Sequence, residues 1–142
     1  MSTLLAKKYH DNAFSSTFTV TANGGTSVFT ITMPSTSTGG ILQIIATGSY
    51  YIPCELGVIP ASASRYYTKV FWLESNTFVN GAVILDEGAT DFNIATTAAG
   101  SGNNVLVTIT NNLNREVKGN ISLYCYLTDY TTPKNVFGTM SV

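Results

Sequence analysis

The sequence predicts an all-β fold, an antiparallel β-sandwich of about eight strands that is jelly-roll-like and carries an extended N-terminal arm. Three observations lead to this prediction. Apolar and polar residues alternate with a period of two in several segments, and Thr, Val, Ile, Tyr and Phe dominate those segments. Residues typical of turns separate the segments at spacings of roughly 8–15 residues. No segments of helical periodicity alternate with these strands, so a parallel α/β sheet is not expected.

Length and composition favour a single domain. The chain has 142 residues, of which 44% are hydrophobic and 11% are charged, with a net charge of −1. This hydrophobicity and low net charge exclude intrinsic disorder, and the length suffices for one core. We expect an N-terminal arm over residues 1–13, a β-sandwich domain over residues 14–130 and a C-terminal extended tail over residues 131–142.

The first third of the chain contains three predicted strands. Residues 14–20 and 28–33 alternate apolar and polar side chains, and the turn sequence between them, residues 23–25, is Asn-Gly-Gly. This arrangement predicts a β-hairpin. Residues 41–47 are almost continuously apolar, which predicts a central strand.

The middle of the chain combines prolines with aromatic residues. Pro53 and Pro60 bracket a segment that should lie outside any paired ladder, because proline lacks the N–H donor. Residues 66–73 are apolar or aromatic on both faces, so this strand is covered on both sides or lines an interface. The dipeptide Asn80-Gly81 predicts a hairpin turn.

The last third contains three more predicted strands. Residues 92–94 form a short strand and residues 105–110 a longer one. Residues 117–128 alternate over a long run, and the predicted inner face consists of Val117, Gly119, Ile121, Leu123, Cys125 and Leu127.

The low and balanced charge excludes two classes of function. Seven Lys and Arg against eight Asp and Glu provide no basic surface for nucleic acid or for a membrane. No apolar run approaches the roughly 18 residues that a spanning helix needs. Lys7 and Lys8 follow Leu4 and Leu5 rather than preceding an apolar stretch, so a secretory signal is not expected and synthesis in the cytosol is.

The residues suited to catalysis or metal binding form no known pattern. The single His10 lies in the predicted arm, next to Asp11, and neighbouring side chains of a strand point to opposite sides. Asp86, Glu87 and Asp91 form the densest acidic cluster. A solvated turn is the favoured interpretation, and a calcium site or a catalytic carboxylate pair is the alternative. We therefore predict no catalytic residue, no cofactor and no metal.

The two cysteines lie far apart in the sequence. Cys54 and Cys125 belong to no Cys-x-x-Cys pair, which leaves metal chelation without local support. Both are predicted to be buried free thiols, and a disulfide is the alternative in an oxidising compartment.

Aromatic residues are the remaining candidates for a functional site. The interface or glycan candidates are Tyr66, Tyr67, Trp72, Tyr124 and Tyr126. Tyr124 and Tyr126 are two residues apart, so both project from the same face of their strand. Three interpretations stay open: packing in the core, a subunit interface, and a platform on which sugar rings stack.

Two segments carry a resemblance to a known group of proteins. Residues 100–112 read Gly-Ser-Gly-Asn-Asn-Val-Leu-Val-Thr-Ile-Thr-Asn-Asn, and residues 119–124 read Gly-Asn-Ile-Ser-Leu-Tyr. Together they resemble the closing hairpin of β-sandwich domains in virion proteins of tailed bacteriophages, a group that includes head-decoration, fibre and spike proteins. The resemblance implies an exterior virion component without catalytic residues that is assembled in the host cytoplasm and is often trimeric.

These observations lead to one main functional hypothesis and one alternative. The main hypothesis is a non-enzymatic capsid decoration (cement) protein or small head- or tail-attached protein. It would assemble with itself and with other virion proteins through aromatic and uncharged polar surface. The absence of repeats and of a coiled-coil shaft favours this hypothesis over an independent fibre. The alternative is a carbohydrate-binding or receptor-binding module of a tail fibre or spike.

Overall fold

Two antiparallel sheets make up the part of the chain that the computed structural model describes, which is residues 13–32, 37–74, 77–98, 104–129, 135–136 and 139–141. The strands within these ranges are β1 (Ala13–Val20), β2 (Gly25–Thr32), β3 (Ser37–Cys54), β4 (Gly57–Glu74), β5 (Thr77–Gly88), β6 (Phe92–Ala98), β7 (Asn104–Asn111), β8 (Val117–Asp129), β9 (Asn135–Val136) and β10 (Thr139–Ser141). The larger sheet has the order β1-β8-β3-β4-β5, with β9 on β8, and the smaller sheet has the order β10-β2-β7-β6. The predicted all-β sandwich is confirmed. Residues 1–12, which include most of the predicted arm and His10, lie outside the described residues.

The apolar faces of the two sheets pack against each other and form the core. Phe18 of β1 stacks on Phe92 of β6 across the two sheets, with ring centroids 5.6 Å apart. Burying each large apolar side chain stabilises the fold by about 1.5–3 kcal/mol. The other large, fully buried side chains are Phe29, Ile31, Leu42, Ile44, Ile109, Ile121, Leu123, Val20 and Val105.

The period-two pattern correctly identified the buried face of several strands. Strand β7 alternates strictly between buried and half-buried residues. Strand β8 buries Val117, Ile121, Leu123 and Cys125, as predicted. Strand β3 lies between β8 and β4, so its predicted central position is also confirmed.

The predicted hairpin between the first two strands is wrong. β1 pairs with β8 in the larger sheet, whereas β2 pairs with β7 and β10 in the smaller one. The connection crosses from one sheet to the other, with Asn23 and Gly24 at φ angles of 59° and 94°. Their N–H groups donate to the carbonyls of Leu113 and Asn111. An alternating strand can bury its apolar face in either sheet, so the turn residues do not decide which sheet it joins.

The predicted turn at Asn80-Gly81 is also wrong. Both residues lie inside β5, where Asn80 pairs with Phe71 of β4. The pairing of β4 with β5 shifts register on both sides of Lys69, which marks a β-bulge. β5 is an edge strand of the larger sheet, and edges accommodate such irregularities more easily than central strands do.

Strands β3 and β4 form a hairpin that extends beyond the rest of the sheet. They pair along their whole length, from Ser37 with Glu74 to Cys54 with Gly57. β8 accompanies β3 only as far as Ser49, and β5 accompanies β4 only from Arg65. Beyond these points the hairpin is two-stranded and projects by about 17 Å, at about 3.3 Å per residue. We call residues 51–60 the hairpin tip.

The expectation that residues 54–59, between the two prolines, lie outside a paired ladder is wrong, and strand geometry explains why. Cys54 and Gly57 flank a two-residue loop, so they form a hydrogen-bonded pair. Alternation then makes Pro53 with Val58, and Tyr51 with Pro60, pairs without ladder hydrogen bonds. In such pairs the backbone nitrogen points away from the partner strand, so a proline there removes no hydrogen bond between β3 and β4.

A fully buried asparagine joins both sheets at one end of the sandwich. The Asn111 side-chain nitrogen donates to the carbonyls of Thr21, at 3.1 Å, and Arg115, at 2.8 Å. Its side-chain oxygen accepts a hydrogen bond of 3.1 Å from the N–H of Leu113. Asn111 itself ends β7, so this one side chain connects β7, the end of β1 and the turn before β8.

We predict that Asn111→Asp destabilises the protein by about 3 kcal/mol, because a buried carboxylate would face carbonyl oxygens that now accept from an amide. Exposed Asn112→Asp is the matched control, since it makes the same chemical change one residue away. Urea unfolding at pH 7 measures both free energies of unfolding. Equal stability of the two variants would contradict the structural role of Asn111.

Candidate functional site

The outer face of the larger sheet carries a cluster of exposed apolar and aromatic side chains. The pairing places Ile41 of β3 between Tyr126 of β8 and Val70 of β4. Two residues further along β3, Gln43 lies beside Tyr124. Paired strands are about 4.8 Å apart, so these side chains are immediate neighbours. We define the aromatic patch as Ile41, Tyr66, Val70, Tyr124 and Tyr126.

The aromatic patch is exposed and carries no charge. Tyr126 is 59% exposed and Tyr66 is 47% exposed, which is high for side chains of this size. The residues that share this face of β3, β4 and β8 around the patch are Gln43, Ile45, Thr68 and Ser122, all uncharged. Glu87 of β5 pairs with Tyr66 and borders the patch. Covering this surface would therefore require little desolvation of charge.

Three of the five candidate aromatic residues belong to the patch, and Tyr67 does not. Tyr67 is 5% exposed and pairs with Ile44 on the inner face of the sheet. Its side chain packs in the core, so it cannot contact a partner or a glycan. Sequence alone did not separate Tyr66 from Tyr67, because both faces of this strand are aromatic and apolar.

Trp72 lies half-buried at the end of the outer face, where it covers a glycine. Trp72 pairs with Gly39 of β3, and a Cβ atom at Gly39 would overlap its indole ring. An aromatic ring packed over a cross-strand glycine compensates for the missing side chain. Trp72 therefore has a packing role beside the patch.

The hairpin tip is a surface feature that the sequence pattern did not predict. Every residue from 51 to 60 is exposed, and Leu56 in the loop is 101% exposed. The other exposed large apolar side chains of the tip are Tyr51, Ile52, Val58 and Ile59. The sequence nevertheless contains a hairpin signal at this point. β-forming residues stand on both sides of the Glu55-Leu56-Gly57 turn, where Gly57 has a φ of 135°.

The base of the hairpin tip is tied to the sandwich. The guanidinium of Arg115, in the turn before β8, donates to the carbonyl of Tyr51 at 3.3 Å. This contact comes just beyond Ser49, where β8 stops pairing with β3. This hydrogen bond connects the base of the tip to the turn before β8.

The acidic cluster includes a structural ion pair. Nε of Arg65 lies 2.7 Å from Oδ1 of Asp86, and Nη1 of Arg65 donates to the carbonyl of Ala89 at 3.0 Å. Arg65 thus secures the end of β5 to β4. Among the described residues, no group of three or more His, Cys, Asp or Glu side chains is placed to hold a metal ion.

The two cysteines have opposite environments. Cys125 is buried, as predicted, and burial raises the pKa of its thiol to about 12. Cys54 is exposed in the hairpin tip, so the prediction that both are buried is wrong for this residue. Cys54 was expected in a segment outside any paired ladder, whereas it ends β3 in the projecting hairpin and is exposed there.

Comparison with known proteins identifies the fold. No protein-family model and no curated protein sequence matches the chain. A tailspike protein of Acinetobacter phage vB_ApiP_P1 has a similar structure, with a TM-score of 0.55 and 16% identity over 90% of this chain and 22% of that one. A tailspike protein of Acinetobacter baumannii phage AM24 gives a TM-score of 0.46 and 8% identity over 92% of this chain and 29% of that one. The chain therefore spans less than a third of either protein, and the first likeness shows a shared fold. Within the described residues no helix is long and apolar enough to cross a membrane.

We predict that iodoacetamide modifies Cys54 in the native protein and leaves Cys125 unmodified, because the thiolate is the reactive form. Cys125 should stay protonated and unmodified from pH 7 to pH 9, because this range lies below its raised pKa of about 12. Intact-mass spectrometry of the wild type and of Cys54→Ser measures this difference. Rapid labelling of native Cys54→Ser would contradict the burial of Cys125, and urea should make its thiol reactive.

Proposed function

We propose that this chain is a non-enzymatic structural protein of the tail of a tailed bacteriophage and that it binds its partners through the aromatic patch. The observation that carries the proposal is the uncharged, aromatic outer face of the larger sheet. A monomeric protein that works alone in water rarely exposes so many large apolar side chains together. Covering these side chains with another protein surface would release water without burying unpaired charged groups.

The fold likeness supports the choice of the tail. The tailspike protein of Acinetobacter phage vB_ApiP_P1 contains a region of this fold, and the sequence resemblance to phage virion proteins rests on other residues and patterns than this likeness. A capsid decoration role, favoured by the sequence alone, draws on no comparable observation. Within the virion we therefore favour a spike or fibre position over the capsid shell.

Immunogold electron microscopy of the phage particles that encode this chain tests the proposal. Antibodies against the purified chain should label the tail, and particles lacking the gene should carry no label. Label spread over the head would favour the decoration role instead. Intact particles without label would contradict a virion role altogether.

Glycan binding at the aromatic patch is a second candidate function. Tyr66, Tyr124 and Tyr126 expose rings beside the hydrogen-bonding side chains of Gln43 and Thr68, the combination on which sugar rings stack.

We predict that, under this second function, Tyr126→Ala weakens binding to purified host surface polysaccharide about tenfold, a loss of about 1.4 kcal/mol. Val28→Ala is the matched control, because Val28 is an apolar residue of similar exposure on the smaller sheet. Biolayer interferometry with immobilised polysaccharide measures both. Equal binding by the two variants, or no binding by the wild type, would exclude the patch as a glycan site.

A further inference from the structure

The hairpin tip is a second apolar surface, separate from the aromatic patch. It has apolar side chains on both faces of a two-stranded ribbon: Tyr51 and Val58 on one side, Ile52 and Ile59 on the other. An isolated two-stranded ribbon is at best marginally stable in water. Apolar residues that neither sheet covers therefore indicate a partner for the tip.

We propose that the hairpin tip of one copy docks on the aromatic patch of a second copy of this chain. The inference rests on the proposed function, because it names the partner that the aromatic patch binds. Both surfaces are apolar and nearly uncharged, and Glu55 is the one charged residue between positions 49 and 64. Each surface would therefore be buried at little electrostatic cost.

The size of the two surfaces agrees with a weak contact. The tip and the patch each present five exposed large apolar side chains, and monomers rarely expose apolar side chains in such groups. Burying one face of the tip against the patch gives a contact below the lower limit of about 1,200 Å² for standard interfaces, the size class of weak and transient complexes. Each docked tip covers one of its two faces, together with Leu56 at the turn.

Geometry makes the contact intermolecular and head-to-tail. Ile41 of the patch and Ile52 of the tip lie on the same strand, about 36 Å apart at about 3.3 Å per residue. A tip fixed at its base by Arg115 cannot fold back over this distance. A contact between two different surfaces of identical chains repeats from copy to copy and either closes into a ring or continues as a filament.

Pairing between two hairpin tips through their edges is disfavoured. Pro53 and Pro60 occupy positions whose backbone nitrogen points outward, one on each edge of the ribbon. Each proline removes a donor that an added strand would need, which is how natural sheets protect exposed edges. A membrane is also a poor partner, because no Lys or Arg lies between positions 49 and 64 to meet anionic lipid.

The test is a complementation experiment with two variants of the full chain. The tip variant carries Leu56→Ser and Val58→Thr, and the patch variant carries Tyr126→Ser and Val70→Thr. All four residues are exposed, and circular dichroism checks that the fold is retained. Val28→Thr is the matched control on the smaller sheet. Light scattering after size-exclusion chromatography gives the mass of each protein over a range of concentrations.

We expect the wild type and Val28→Thr to associate, and each of the two variants alone to be monomeric, with a dissociation constant raised at least about 100-fold. An equimolar mixture of the variants should form a one-to-one complex, since one intact tip then meets one intact patch. Association of the patch variant alone would show tip-to-tip contact and overturn the proposal. A monomeric wild type would overturn it too, as would a tip that binds lipid vesicles without self-association. If immunogold labels the tail but the wild type is monomeric, the docking proposal is wrong and the proposed tail function is still supported.

Discussion

The apolar layer between the two sheets is the constraint on which the rest of the structure depends. It fixes which face of each strand points inward, and because side chains alternate, it also fixes which residues stay outside. Tyr67 packs in the core and Tyr66 on the surface for this reason alone. The aromatic patch is thus a consequence of register: β4 and β8 bury one row of side chains and expose the next.

Among the described residues, the buried polar side chains are Lys69, Thr96 and Asn111, and their hydrogen bonds connect separate strands. Asn111 joins β7 to the end of β1 and to the turn before β8 through hydrogen bonds at its side chain. Lys69 extends from β4 across the core to donate to the Thr96 hydroxyl of β6 at 3.3 Å. Such contacts add little net stability, yet they penalise alternative registers, because a shifted strand would leave a buried polar group without its partner.

The surface chemistry is the physical basis of the proposal that this molecule binds other proteins. Its outer strands present Thr, Ser, Asn and Tyr in place of the charged residues that usually keep a domain apart from its neighbours. A surface of this composition stays hydrated through hydroxyl and amide groups and can be covered without burying ions. The hairpin tip and the aromatic patch are the two surfaces that expose several large apolar side chains together with few charged residues.

The sequence by itself determined the fold class, the central position of β3 and the inner faces of β7 and β8, because period-two alternation depends only on neighbouring residues. The sequence also identified Tyr66, Tyr124 and Tyr126 as candidates. It could not show that these three lie on one surface or that Tyr67 is buried. Tertiary structure decided the partner of β1, the bulge that absorbs Asn80-Gly81 and the projection of the β3–β4 hairpin. These features depend on which strands meet across long stretches of chain, and local propensities contain no information about such pairings.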